Sequence, residues 1–349
     1  MAKSYSDIRS IVREAITSGR YKPNEWLPPD HELAREMQTS RLTVHRALQG
    51  LAREGLVHRS PRRGTRVADP RKDIVGTVAV LLPAGFTGRT ADWLDSLGTD
   101  LLEAGITVAP YNCHGTVSRA VQVARLLVRN PIVGVVLMPP TYEDSRRIVE
   151  IFQDARVPVV VEGKFEVPGL EVSYVSANHR QGGRLLAEHL LKRGHRRMAT
   201  VSCSHTQDVQ ERGRGFREGL AAAGVELEEN CTFEVRRFNE ILYVVREMMN
   251  RPERPSVIFG LNDLIAAEVM AVLHQMGLRI PQDCAVVGMG DEPMSKATIS
   301  PMTTARAPLV EEGHLLASIL LNTIQGRLSE PQRIELDYEL VVRQSCGQA

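Results

Sequence analysis

From residue 77 onward the chain alternates short apolar, β-rich runs with longer amphipathic stretches, and this alternation confines it to a parallel α/β architecture. The runs are Thr77–Leu82, Ile106–Ala109, Gly134–Met138, Pro158–Val161, Met198–Val201, Val257–Phe259 and Ala285–Val287. Helical spacing fills the gaps at Trp93–Glu103, Arg119–Val128, Asp144–Phe152, Gln181–Lys192, Arg214–Ala223 and Leu264–Met276. Strands joined through helices run parallel, because a parallel crossover needs a dozen or more residues. The series is too long for one simple sheet, and two smaller lobes are easier to stabilise.

In such sheets ligands bind beyond the carboxyl ends of the strands. Those ends read Pro83-Ala84-Gly85-Phe86, Asn112-Cys113-His114, Pro139-Pro140-Thr141, Glu162-Gly163-Lys164, Ser204-His205, Asn262-Asp263 and Gly290-Asp291-Glu292. They are polar and mixed in charge, which fits a hydroxyl-rich small molecule better than an apolar one.

The first 68 residues follow a different pattern. Tyr5, Ile8, Ile11, Val12, Ala15 and Ile16 recur at helical spacing, and Gly19 stops that helix. Trp26-Leu27 leads to Pro28-Pro29-Asp30, a helix start that tolerates proline, and Leu33, Ala34 and Met37 form a second buried face. After Gln38-Thr39, Ser40 caps a third helix whose Val44, Ala47, Leu48 and Leu51 share one side. Arg41, Thr43, His45 and Arg46 lie toward the other. Gly55 ends this helix, and Leu56-Val57 enters a hairpin tipped by Pro61-Arg62-Arg63-Gly64-Thr65. That order is a winged helix-turn-helix.

A basic amphipathic helix is ordinarily just a solvated one. Here residues 1–72 hold 15 Lys and Arg against 8 Asp and Glu, a net of +7 in a chain of net +1, which leaves −6 for the rest. A basic head on an acidic body is the asymmetry of a nucleic-acid module joined to something that does not bind nucleic acid. The expected contacts to double-stranded DNA are Arg35, Ser40, Arg41, Thr43, His45, Arg46, Arg62, Arg63, Gly64 and Thr65.

Other chemistry finds little support. GxSxG, HExxH and Walker-type loops are absent, so no catalytic residue, metal or cofactor is expected. His31, His45 and His58 lack ligand spacing. The five cysteines, 113, 203, 231, 284 and 346, are odd in number and far apart, which reads as scattered thiols. No run of 18 apolar residues occurs, and Met-Ala-Lys-Ser-Tyr at the start has no apolar core, so a cytoplasmic location without a membrane span is expected.

Two resemblances sharpen this reading. Tyr5-Ser6-Asp7-Ile8, Leu27-Pro28, Glu32-Leu33-Ala34, Ser40 through Leu48, Glu54-Gly55-Leu56 and Gly64-Thr65 together resemble the DNA-binding head of the GntR family over roughly residues 5–68. Asn24 replaces a common turn glycine, Pro29 a capping serine, and His31 and His45 stand where DNA-contacting arginines are frequent. Across 75–346 the sequence resembles the LacI-family sensor domain. The motifs are Gly182-Gly183-Arg184 through Leu190, Gly194-His195-Arg196-Arg197, Glu211 through Phe216, Asn262 through Ala266, Ile280-Pro281-Gln282-Asp283, Pro301-Met302-Thr303-Thr304 and Val342 through Cys346.

The second resemblance implies the periplasmic-binding-protein-like fold, with two lobes, three crossovers and a cleft between them. The domains expected are a head over 1–68, a linker over 69–74 and a sensor over 75–349. Its first lobe would take about 75–163 and 309–325, its second about 164–308 and 326–346. Arg212 and Asn262 match the cleft arginine and asparagine. Trp93 falls where an apolar or aromatic residue faces the sugar, a place equally compatible with a core tryptophan. Glu162 stands in for one cleft aspartate; another is replaced by Gly290, with Asp291 beside it.

The combination is similar to the arabinose-type repressors. It implies a homodimeric regulator, a repressor of carbohydrate-related genes, that binds an operator and is controlled by a small, sugar-like effector. A sensor that reads a protein partner or a non-sugar ligand stays open as an alternative, and a solute-binding protein as a third.

Overall fold

The computed structural model describes residues 4–53, 56–60, 64–68, 76–83, 88–141, 145–203 and 206–347. The chain forms two compact units, 1–77 together with 99–108, and 78–98 together with 109–349.

The head consists of α1 (Tyr5–Thr17), α2 (Asp30–Glu36), α3 (Arg41–Arg53), β1 (Val57–Ser60) and β2 (Gly64–Val67). Ser4 and Asp7 make a reciprocal capping box at the start of α1, satisfying two otherwise orphaned amides. Past its end Gly19 takes φ +79°, a turn conformation costly for other residues. The Ser40 hydroxyl accepts from the Thr43 amide at 3.1 Å and so caps α3. Ile8, Val12, Leu33, Val44, Leu48, Leu51 and Val57 close the core. Gly50 lets α3 approach α1, since a Cβ there would stand 2.5 Å from the Tyr5 hydroxyl. β1 and β2 pair antiparallel from Val57↔Val67 to Ser60↔Gly64, forming the wing.

The body begins with β3 (Gly76–Leu82), α4 (Gly88–Glu103), β4 (Ile106–Asn112), α5 (Val117–Leu127), β5 (Ile132–Leu137), α6 (Arg146–Asp154), β6 (Val159–Glu162) and β7 (Ser173–Ala177). There follow α7 (His179–Lys192), β8 (Met198–Ser202), α8 (Gln207–Ala221), β9 (Thr232–Glu234), α9 (Ile241–Met249), β10 (Val257–Gly260), α10 (Asp263–Gln275) and β11 (Ala285–Gly290). The chain closes with α11 (Met294–Ala297), β12 (Thr303–Arg306), α12 (Leu309–Ile324), β13 (Arg333–Leu336) and β14 (Glu339–Val341).

Two six-stranded sheets result, in the orders β13-β7-β6-β5-β3-β4 and β14-β12-β11-β10-β8-β9. The central strands are continuous apolar runs because helices cover both faces. In the second lobe Ala199 and Val201 join the core beneath α9 and α10. Strand alternation turns Thr200 and Ser202 to the opposite face, where Phe216 of α8 packs against Phe259 with ring centroids 4.9 Å apart.

The chain crosses between lobes at 177–179, 306–309 and 336–339. The first and third crossings correct the expected lobe boundaries. β7 and β13 extend the first lobe's sheet, pairing at Tyr174↔Arg333 through Ala177↔Leu336, although residues 164–177 and 326–336 were expected in the second lobe. Neither segment is a continuous apolar run: β7 mixes serine, tyrosine and valine, and β13 is a half-exposed edge strand.

Glycines hold α7 and α8 unusually close. A Cβ on Gly183 would overlap the Arg212 carbonyl oxygen, and one on Gly215 would overlap that of Arg180. The expected linker over 69–74 lies outside the described residues.

Candidate functional site

The outer face of α3 presents Arg41 and Arg46 to solvent, with Thr43 partly covered, and Arg35 is exposed on α2. Beside them lies a depression of about 670 Å³ lined by Asp30, His31, Arg41, His45, Arg59 and Gly64. One carboxylate organises it. Asp30 accepts from Arg59 Nη2 at 2.7 Å and contacts His45 Nδ1 at 3.1 Å, while Arg59 Nη1 donates to the His45 carbonyl at 2.9 Å. Gln49 Nε2 lies 3.2 Å from the other ring nitrogen of His45. Burial pushes the Asp30 carboxyl up, but the hydrogen bonds from Arg59 and His45 outweigh it and hold the group below its usual range.

His45 is therefore a braced ring that ties α2, α3 and the wing together. Asp30 and Arg59 were not singled out in the sequence; the signal was His45 standing where an arginine is common. Thr65, expected among the DNA contacts, turns inward instead and is only 3% exposed, because β2 alternates and buries Thr65 with Val67. Trp26, half exposed, pairs with Arg66 and lies 3.7 Å from where a Cβ on Gly64 would stand. Arg62 and Arg63 lie outside the described residues.

In the second lobe the structure brings Arg212 and Asn262 together. Arg212, 6% exposed, donates from Nη1 to the Leu261 carbonyl at 2.9 Å and from Nε to His179 Nδ1 at 3.3 Å. Tyr338 Oη lies 2.8 Å from the same nitrogen. An arginine Nε can only donate, so the His179 proton resides on Nε2, which faces Asp208 at 3.3 Å. His179 and Tyr338 belong to two of the crossings, so this cluster fixes the cleft arginine to the lobe connections. Asp208, His179 and Tyr338 escaped the sequence because none carries a motif and the Tyr338–His179 contact joins residues 159 apart. Asn262 caps α10, its Oδ1 accepting from the Ile265 amide at 2.8 Å, which leaves its amide nitrogen for a ligand.

The remaining candidates are placed differently. Trp93 is fully buried in α4, and its carbonyl lies where α12 crosses at Gly313, so neither ring face is open to a sugar. Glu162 is buried at the end of β6. Asp291 accepts from Arg306 Nε at 2.8 Å, Arg343 Nη2 at 2.5 Å and Ser295 Oγ at 3.0 Å, and its carboxylate is consumed in holding the second crossing. Burial raises this carboxyl, and the two guanidiniums more than reverse the shift. The burial of Trp93 corrects its expected effector contact, whereas Asp291, braced by these partners, still lines a pocket. This pocket, of about 650 Å³, is lined from both lobes by Asp291 with Asp92, Glu292, Lys296, Arg306 and His314. Residues 84–86 and 204–205, expected at strand ends, lie outside the described residues.

Asp263 gives a testable electrostatic consequence. It is buried, accepting from Thr304 Oγ1 at 2.6 Å and the Glu292 amide at 2.7 Å, and burial pushes its pKa up to about 6. A carboxyl whose folded pKa is raised binds its proton more tightly when folded. Its contribution is thus full below the unfolded value near 4 and lost as pH rises through about 6. The expected result is a loss on the order of 2 kcal/mol between pH 4 and 7, followed by denaturant melts, and a shallower slope in Asp263→Asn. Equal slopes would remove Asp263 as the cause.

Among the described residues no helix is long and apolar enough to cross a membrane, and no cluster of three His, Cys, Asp or Glu could hold a metal. A winged helix-turn-helix with an exposed basic helix, followed by a two-lobed α/β body, defines a DNA-binding transcriptional regulator. Residues 4–67 match the gntR family of bacterial regulatory proteins, and residues 187–346 match the periplasmic binding protein-like domain. The arabinose metabolism transcriptional repressor of Geobacillus stearothermophilus is 30% identical over 364 aligned positions, which cover 98% of this chain and 97% of that one. The chain belongs to that family of repressors, built from a GntR-type head and a LacI-type body. The HTH-type transcriptional regulator CelR of Thermobifida fusca is 33% identical over 61% of this chain and 63% of its own. The solved CelR–cellobiose complex superposes with a TM-score of 0.70 at 26% identity, covering 88% of this chain and 92% of that one. A LacI-family regulatory protein from Chloroflexus aggregans shares the fold, with a TM-score of 0.70 at 24% identity over 78% of this chain and 98% of its own.

Proposed function

We propose that this regulator is a cytoplasmic repressor of carbohydrate-related genes, binding a pseudo-palindromic operator as a homodimer and controlled by a sugar-like effector held at Arg212 and Asn262. The buried Arg212 carries the reading. A guanidinium fixed in place beside a capping asparagine, at the carboxyl edge of a parallel sheet, is built to hydrogen-bond ligand hydroxyls. The names of the relatives, which refer to arabinose, cellobiose and ribose, support a sugar. Arg41, Thr43 and Arg46 enter the groove, while Arg35, Ser40, Gly64 and the wing residues Arg62 and Arg63 contact the backbone. Effector binding changes the lobe angle and with it the spacing of the two heads, which couples the sites.

The head is tested by Arg41→Ala in a gel-shift titration. Specific affinity should fall by about 1–3 kcal/mol, with non-specific binding reduced less. The wild type should footprint an inverted repeat with half-sites about one helical turn apart. Unchanged affinity in Arg41→Ala, or protection of a single half-site, would contradict the proposal.

A further inference from the structure

We propose that the second lobe holds an additional binding site, separate from the Arg212–Asn262 cleft, for a small polyhydroxylated monocarboxylate. It lies in a cavity of about 210 Å³ between α8 and the β8–β9 edge of the sheet, the room of roughly seven liquid waters. Thr200 and Ser202 line it; they are only 3% and 4% exposed, and neither hydroxyl has a hydrogen-bond partner among the described residues. Hydroxyls enclosed to this degree are normally satisfied. The same face of β8 could have been filled by apolar side chains, as Ala199 and Val201 fill the opposite one.

The rest of the lining gives the ligand its class. Two of the charged residues in the lining are engaged, Arg214 with Glu211 at 2.8 Å and Glu234 with a partner of its own, whereas Arg217 makes no ion pair among the described residues. One uncommitted guanidinium calls for one negative charge and binds a carboxylate in bidentate fashion. Thr200, Ser202 and Thr232 can each donate to or accept from ligand hydroxyls. Val209 and Leu261 supply an apolar wall for the carbon chain, with Gly213 between them in the lining. A sugar acid of three to six carbons meets all of these terms. Gly213 follows the cleft arginine in α8, so the two sites share one helix while using different side chains.

The test uses the full-length protein with D-glycerate, L-threonate and D-gluconate, each paired with the neutral polyol of equal length, read by calorimetry. At least one acid should bind and its polyol should not. Arg217→Met and the isosteric Thr200→Val should each weaken that acid at least tenfold, while Arg212→Ala retains it and operator affinity stays at the wild-type level in the first two variants. Binding by none of the acids, binding indifferent to Arg217 and Thr200, or binding lost in Arg212→Ala alone would overturn the proposal, the last placing the acid in the cleft.

Discussion

Gly215→Ala is expected to unfold the body well below the wild-type temperature. The new methyl has no free space, since it meets the Arg180 carbonyl oxygen, and the obstacle is backbone that cannot rotate aside. Overpacking of this kind costs on the order of 3 kcal/mol, and α7 and α8 must separate to relieve it. In a lobe of this size that corresponds to a drop of roughly 6–12 °C in calorimetry. Gly98 supplies the contrast. It sits inside α4 with nothing within 4 Å of an added Cβ, so Gly98→Ala should hold or raise the midpoint, by up to about 1 kcal/mol of helix propensity. Equal effects at the two positions would mean that the α7–α8 crossing is not the constraint.

Arg212→Ala should remove the effector response while sparing the head. Hydrogen bonds from a charged donor are worth about 1.5–3 kcal/mol each, and a guanidinium offers a ligand two, so effector affinity should fall by roughly 10²-fold to 10⁴-fold. Operator affinity without effector should change by less than about threefold, because DNA contacts and cleft contacts involve different residues. Truncation also deprives His179 Nδ1 and the Leu261 carbonyl of a donor, so a folding check by circular dichroism accompanies the titration.

Legibility followed the range of the interactions. The head could be read almost entirely, because capping at Ser40, the α3 stripe and the Gly19 stop are local signals. The central strands β3, β5, β6, β8, β10 and β11 were legible for the same reason, as apolar runs, whereas β7 and β12, rich in serine and threonine, were not. Three of the four edge strands were not legible either: β9, β13 and β14 are three or four residues long and partly exposed, and they gain their order from pairing with neighbours distant in sequence, whereas the longer β4 was. The same limit applied to the site. Arg212 and Asn262 carry motifs, whereas Asp30 and Arg59 in the head, or His179 and Tyr338 in the body, acquire their roles only when packing brings them together. Trp93 shows the converse, since its residue type fits a sugar site and packing assigned it to the core.

Reciprocal linkage between operator and effector tests the central claim most directly. Fluorescence anisotropy would measure operator affinity with and without each of arabinose, ribose and cellobiose, and calorimetry would measure the affinity of the same sugars with and without operator DNA. A sugar that shifts operator affinity by a given factor must have its own affinity shifted by that factor when DNA is bound, and both shifts should vanish in Arg212→Ala. Sugar binding that leaves operator affinity unchanged, or a coupling that persists undiminished in Arg212→Ala, would contradict an effector site at Arg212.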